Sequence, residues 1–154
     1  MRFVSKEEQM RIVIQRVSEA KVLVGEKITG AIGRGLLVLV GIGENDTKDN
    51  AKYLVDKLLN MRIFEDDSDK LNYSLLDIDG ELLLVPNFTL YANCKKGNRP
   101  NFFEAAKPMV ASEVFNHFVM MCSDICKNVK TGQFAEHMKV ELVNDGPVTI
   151  VLDN

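Results

Sequence analysis

The chain contains no tryptophan and no long apolar run; nowhere do its 154 residues approach the roughly 20 consecutive apolar positions of a membrane-spanning helix. Residues 1–9, Met1 to Gln9, lack the apolar centre of a signal peptide and read as a polar N-terminal extension before a start at Met10. The expected location is cytoplasmic. Cysteine is scarce and odd in number: Cys94, Cys122 and Cys126. Cys122 and Cys126 are four apart in a helical pattern, which makes them core thiols on one face. With only the well-separated His117 and His137 to add, the chain offers too few ligands for a metal site, and no metal or cofactor is expected. Neither sign of charge dominates. A net charge of −3 argues against a protein that coats nucleic acid through many phosphate contacts, yet leaves room for a small basic patch that grips a strand end. Low-complexity segments and repeats are absent, so residues 10–154 read as one domain.

What is present alternates between apolar runs and turn signals. Arg11 to Val17, Ala20 to Val24 and Lys27 to Ile32 read as strands, the last two joined through Gly25-Glu26. Leu36 to Ile42 is continuously apolar and predicts a strand buried on both faces; Glu81 to Val85 predicts another. Gly41-Ile42-Gly43 invites a dinucleotide-binding reading, but Asp46 stands where the third glycine is needed. Asp46 and Thr47 are instead expected to cap a helix with Ala51, Leu54, Val55, Leu58 and Leu59 on its buried face. Met61 to Phe64 predicts a short strand, and Glu65 to Asp69 a solvated acidic loop without calcium-loop spacing. Pro108 opens a second helix, with Ala111, Val114, Phe115, Phe118, Cys122 and Ile125 along one stripe. Met138 to Val143 and Val148 to Leu152 are the last predicted strands.

Two proline-marked stretches do not fit this pattern. In Pro86-Asn87-Phe88-Thr89-Leu90, proline is expected to end the sheet pairing and free the following amides. Beyond it, Lys95, Lys96 and Arg99 crowd into one short loop beside glycine and aromatics; the loop is either a solvated surface or a phosphate-binding loop beside a pocket. In Asn144-Asp145-Gly146-Pro147-Val148-Thr149, the simple reading is a hairpin corner, and the sharper one is a set of backbone carbonyls held for a purpose. No G-x-S-x-G elbow and no local Ser-His or Cys-His pair emerges.

Together, Phe88-Thr89-Leu90 and Asn144 to Thr149 resemble the D-aminoacyl-tRNA deacylases, which are tRNA-proofreading hydrolases. Ile14-Gln15-Arg16-Val17, Asn93 to Phe102 and Thr131-Gly132-x-Phe134 extend the likeness from Met10 to the C-terminus. The resemblance implies an α/β fold: a twisted mixed β-sheet with two main helices and barrel-like sheet packing across a homodimer. It places the active sites at the subunit interface, with a cis Gly146-Pro147 peptide reaching from one subunit into the other's pocket. It implies that Thr89 and Phe88 are catalytic, and that Pro86, Asn87, Phe88, Gly146, Pro147, Phe134 and Met138 bind substrate. Arg16, Asn144 and Thr149 would support them, and Lys95, Lys96 and Arg99 would meet the tRNA acceptor end. Thr89 is either the nucleophile or a hydroxyl that orients the site. Orientation is favoured, since no base is evident to activate it.

The implied reaction is hydrolysis of the ester of D-aminoacyl-tRNA and of mischarged glycyl-tRNA, with L side chains excluded by the Gly146 and Pro147 carbonyls. One departure bears on specificity. The family motif usually begins Ser-Gln where this chain has Pro86-Asn87, and a related animal group that removes L-alanine also has proline there. That group has alanine where this chain keeps Phe88. A deacylase of relaxed chirality and a DNA-binding protein without hydrolase activity are the alternatives.

Overall fold

The computed structural model describes residues 10–154; the extension at 1–9 lies outside the described residues. Eight strands and two helices follow in order: β1 (Arg11–Val24), β2 (Lys27–Ile32), β3 (Gly35–Gly41), α1 (Lys48–Asn60), β4 (Phe64–Glu65), β5 (Leu71–Tyr73), β6 (Glu81–Pro86), α2 (Pro108–Ile125), β7 (Val129–Thr131) and β8 (Lys139–Asp153). A 3-10 turn, Phe88–Tyr91, follows β6. The main sheet runs β2-β1-β3-β6-β7, with β8 paired along β1; β3, β6 and β7 are parallel and the other pairs antiparallel. β4 and β5 form a separate hairpin.

The continuous apolar strands alternate between two cores. Leu36, Val38 and Val40 of β3, with Leu82 and Leu84 of β6, pack under the helices beside Leu54, Leu58, Phe115 and Phe118. Their neighbours Leu37, Leu83 and Val85 point the other way, against Val17, Ala20, Val22 and Ile32. Both faces are therefore covered within one chain, because the sheet curls back over itself into a nearly closed barrel. β1 makes this possible. Ile12 and Ile14 serve the helix-side core, Val17, Ala20 and Val22 the inner one, and the pairing with β8 slips on either side of Val17. Such bulges shift the alternation by one residue and swap the faces.

Several expected boundaries differ. Arg11 to Val17 and Ala20 to Val24 are one strand rather than two, because β8 pairs with both halves across the slip. Only Phe64–Glu65 of the Met61 region is strand, and the short β5 and β7 are edge pieces too brief to show a periodicity. Thr47 caps α1 in a reciprocal box with Asn50, whereas Asp46 turns inward and caps nothing. The acidic loop folds on itself: Asp66 accepts from the amides of Lys70 at 3.1 Å and Ser68 at 2.8 Å, which lowers its carboxyl below the usual range.

Candidate active site

The sheet pairing ends at Pro86, as expected, but proline is itself its last paired residue. It stays in register with Val40, and the next amide, of Asn87, donates to the Val40 carbonyl at 2.8 Å. The donor that proline lacks would point to the side of β7, which pairs only with Leu82 to Leu84, so nothing in the ladder is lost. The strand then breaks because the Asn87 side chain takes over. Its Oδ1 accepts from the Thr89 amide at 3.2 Å and from the Thr89 hydroxyl at 2.5 Å, winding Phe88–Tyr91 into the 3-10 turn. With Leu90 donating to the Asn87 carbonyl at 3.4 Å, three of the amides expected to be freed are engaged. Phe88, first in the turn, is left without an intrahelical acceptor.

This turn forms one wall of a cleft of about 790 Å³. Pro86, Asn87, Phe88 and Thr89 line it together with Phe134 and Met138, and with Phe102, Ala105 and Ala111. Phe88 is 57% exposed and stands at the rim, its ring edge-on to Phe102 at 5.1 Å. Phe134 and Met138 belong to a tight loop in which the Gln133 amide points at the Met138 sulfur (3.3 Å) and Ala135 adopts φ +62°. Glu136 and His137 from this loop also line the cleft. Neither stands out in the sequence, since a loop side chain acquires a direction only once its neighbours are placed.

The three cations sit on an exposed loop whose base is closed by paired backbone bonds between Asn93 and Asn101, at 2.8 and 3.0 Å. Phe102, the next residue, is already in the cleft wall. The base of the loop that carries Lys95, Lys96 and Arg99 therefore adjoins the cleft wall.

Asn144 to Thr149 is not a hairpin corner. β8 runs uninterrupted from Lys139 to Asp153, and both flanks pair with the same strand: Asn144 with Val17 and Thr149 with Gln15. The residues between bulge out of the ladder, which is how a proline is accommodated in mid-strand. Side chains pin the bulge at its neck. Asn144 accepts from the Val148 amide at 3.1 Å and donates to the Thr149 hydroxyl at 3.0 Å. Arg16, only 5% exposed, donates through Nε to the Asp145 carbonyl and through Nη1 to the Ile63 carbonyl, both at 2.9 Å, with Glu65 at 3.4 Å. At the crest, Gly146 has φ +143°, and a Cβ there would fall 2.8 Å from the Val148 nitrogen. No other residue fits. The Gly146-Pro147 peptide is cis, and both residues are exposed. They do not line the chain's own cleft. The fold thus unites Pro86, Asn87, Phe88, Thr89, Phe134 and Met138, and separately unites Arg16, Asn144, Gly146, Pro147 and Thr149.

Comparison with known proteins converges on one family. A family profile described as D-Tyr-tRNA(Tyr) deacylase matches residues 13–153. A protein of Clostridioides difficile (strain 630) named D-aminoacyl-tRNA deacylase is 54% identical over 145 residues, covering 94% of this chain and 97% of the relative. Among solved structures, the c-Myc DNA Unwinding Element Binding Protein superposes with a TM-score of 0.87 at 41% identity, over 92% of this chain and 97% of that one. A probable eukaryotic D-amino acid tRNA deacylase superposes with a TM-score of 0.82 over 95% of this chain and 100% of that one; at 18% identity it speaks for the fold alone.

Proposed function

The chain belongs to the D-Tyr-tRNA(Tyr) deacylase family, and from that premise we propose that it hydrolyses the ester of D-aminoacyl-tRNA as a homodimer, each cleft completed by the other subunit's Gly146-Pro147 bulge. The observation that carries this reading is the bulge itself: pinned by Arg16 and Asn144, exposed, and apart from the cleft of its own chain. A carbonyl pair held this firmly suits recognition by a partner surface. In the neighbouring subunit's cleft, the Gly146 and Pro147 carbonyls accept from the substrate's α-ammonium and occupy the direction an L side chain would take. D side chains point elsewhere, and glycine has none to reject, so glycyl-tRNA is cleaved as well.

An aminoacyl ester is already activated toward water, and the demands on the protein are correspondingly small. The Phe88 amide is the donor available to a developing oxyanion. The Thr89 hydroxyl is committed to Asn87, and no base lies in its hydrogen-bond set, which favours orientation over nucleophilic attack. The terminal ribose 2′-hydroxyl helps to place the attacking water. Lys95, Lys96 and Arg99 contact phosphates of the single-stranded acceptor end. Asn87 reaches both the amide and the hydroxyl of Thr89, so the Pro86-Asn87 departure leaves this wall organised and D-specificity is retained.

Rates of hydrolysis of D-tyrosyl-, L-tyrosyl-, glycyl- and L-alanyl-tRNA at equal enzyme concentration test the proposal. Fast loss of the D-tyrosyl and glycyl esters with L-tyrosyl spared is expected. Comparable loss of L-alanyl-tRNA would mean relaxed chirality. If no ester is cleaved faster than in buffer while duplex DNA is retained in a salt-dependent gel shift, the hydrolase reading fails in favour of a binding protein.

A further inference from the structure

Gly41-Ile42-Gly43 lacks the glycine needed for a dinucleotide, but its two glycines have a structural use behind the 3-10 turn. A Cβ on Gly41 would lie 2.9 Å from that of Leu90, and one on Gly43 would lie 2.9 Å from the Tyr91 hydroxyl oxygen. Tyr91 is buried against them, and its hydroxyl donates to Asp46 Oδ2 at 3.1 Å. The same oxygen accepts from the Gly43 amide at 2.6 Å. Arg11 of β1 closes the socket: Nη1 donates to the Leu90 carbonyl at 2.9 Å, and the guanidinium lies 5.1 Å from the centre of the Tyr91 ring. The second half of the turn is thus gripped from behind while its first half, Phe88 and Thr89, faces the cleft.

A side chain present only to fill this space would be less costly uncharged. Asp46 is 5% exposed, and its Oδ1 has no partner among the described residues. We propose that Asp46 is a positioning residue: through the Tyr91 hydroxyl and the Gly43 amide it fixes the turn that presents Phe88 and Thr89, and so governs turnover rather than substrate affinity. This rests on the reading of the cleft as the deacylation site. Burial pushes the carboxyl up to about 6, against the opposing pull of the Gly43 and Tyr91 hydrogen bonds and the Arg11 charge. Burial first, then Asp46 and Asp153, push the Tyr91 phenol up while Arg11 pulls it down, and the hydroxyl remains a donor. Between pH 5 and 7 the acceptor therefore passes from neutral to charged, and its hydrogen bonds strengthen.

The test is steady-state hydrolysis of D-tyrosyl-tRNA by the full chain, with circular dichroism confirming that each variant is folded at the assay temperature. Asp46→Ala is expected to lower kcat roughly 10- to 100-fold with KM changed less than about twofold. Asp46→Asn keeps an acceptor and recovers part of the loss, and the ratio of wild-type to Asp46→Asn kcat rises from pH 5 to pH 7. Tyr91→Phe, which removes one oxygen and keeps the ring, lowers kcat in the same way, and the double variant with Asp46→Asn is no worse than the poorer single one. If Asp46→Ala does not fold, Tyr91→Phe carries the test. Unchanged kcat, a loss confined to KM, a ratio flat with pH, or additive losses would overturn the role. A wild-type enzyme that leaves D-tyrosyl-tRNA intact would overturn the reading of the cleft itself; an active wild type with unaffected variants would overturn only the positioning role.

Discussion

The two proline-marked stretches differ in how the backbone around each is held. The Pro86 to Tyr91 turn is gripped from behind: its amides go to Val40 and Asn87, its carbonyl at Leu90 to Arg11, and its phenol to Asp46. It lines a cleft within its own chain. The Asn144 to Thr149 bulge is gripped at its neck, by Asn144 and Arg16, and presents Gly146 and Pro147 outward. The first arrangement suits a surface on which chemistry occurs and the second a surface that judges shape. Proline is tolerated in each for its own reason: in one its missing donor points past the end of β7, in the other the residue lies outside the ladder.

Breaking the bulge at its crest is expected to have the largest effect. Gly146→Ala places a Cβ against the Val148 backbone at φ +143°, costing about 1–3 kcal/mol locally. Single-turnover deacylation of D-tyrosyl-tRNA should fall by roughly 100-fold or more, in line with displaced site groups elsewhere. Arg16→Ala removes the buried guanidinium and strands the Asp145 and Ile63 carbonyls. A loss of about 3 kcal/mol in urea unfolding is expected, with a smaller ratio of D- to L-tyrosyl cleavage; an unchanged ratio would separate Arg16 from chiral selection.

On the turn side, Asp46 makes stability depend on pH. Its carboxyl is raised from 3.8 to about 6 in the folded protein, so the native state holds the proton more tightly than the unfolded chain. The Asp46 contribution to stability is therefore greatest below about pH 3.8, declines as pH rises toward 6, and is lost above that; it is at most about 3 kcal/mol. Comparing wild type with Asp46→Asn by denaturant unfolding from pH 4 to pH 7 should show this component only in the wild type. Thr89→Val distinguishes orientation from attack: a roughly 10-fold drop in kcat fits orientation, whereas a loss near 10⁴-fold would make Thr89 the nucleophile. The smallest effect lies outside both stretches. Replacing Lys95, Lys96 and Arg99 with alanine should raise KM several-fold and flatten the salt dependence of log KM by about 2, if each meets one phosphate of a single strand.

The family-bearing residues were legible in the sequence because short motifs fix local backbone chemistry. Asn144, Gly146 and Thr149 act within one bulge, and Asn87 acts on Thr89 two residues away. The helices were legible too, since a 3.6-residue period survives any packing. Other features were not. The bulge resembled a corner because nothing local reveals that Gln15 and Val17 pair with both of its flanks. Asp46 resembled a helix cap because its true partner, Tyr91, lies 45 residues away. Glu136 and His137 had no direction until the fold placed their loop at the cleft.

By itself the sequence determined the two helices, the central strands and the positions where only glycine or proline serves, since these depend on neighbours a few residues apart. Only the tertiary structure decided that one chain covers both faces of its central strands, that Arg16 and Asp46 are buried where they hold the two stretches, and that the bulge and the cleft stay apart. Each of those outcomes depends on contacts between segments far apart in the chain, which the order of residues encodes but does not display.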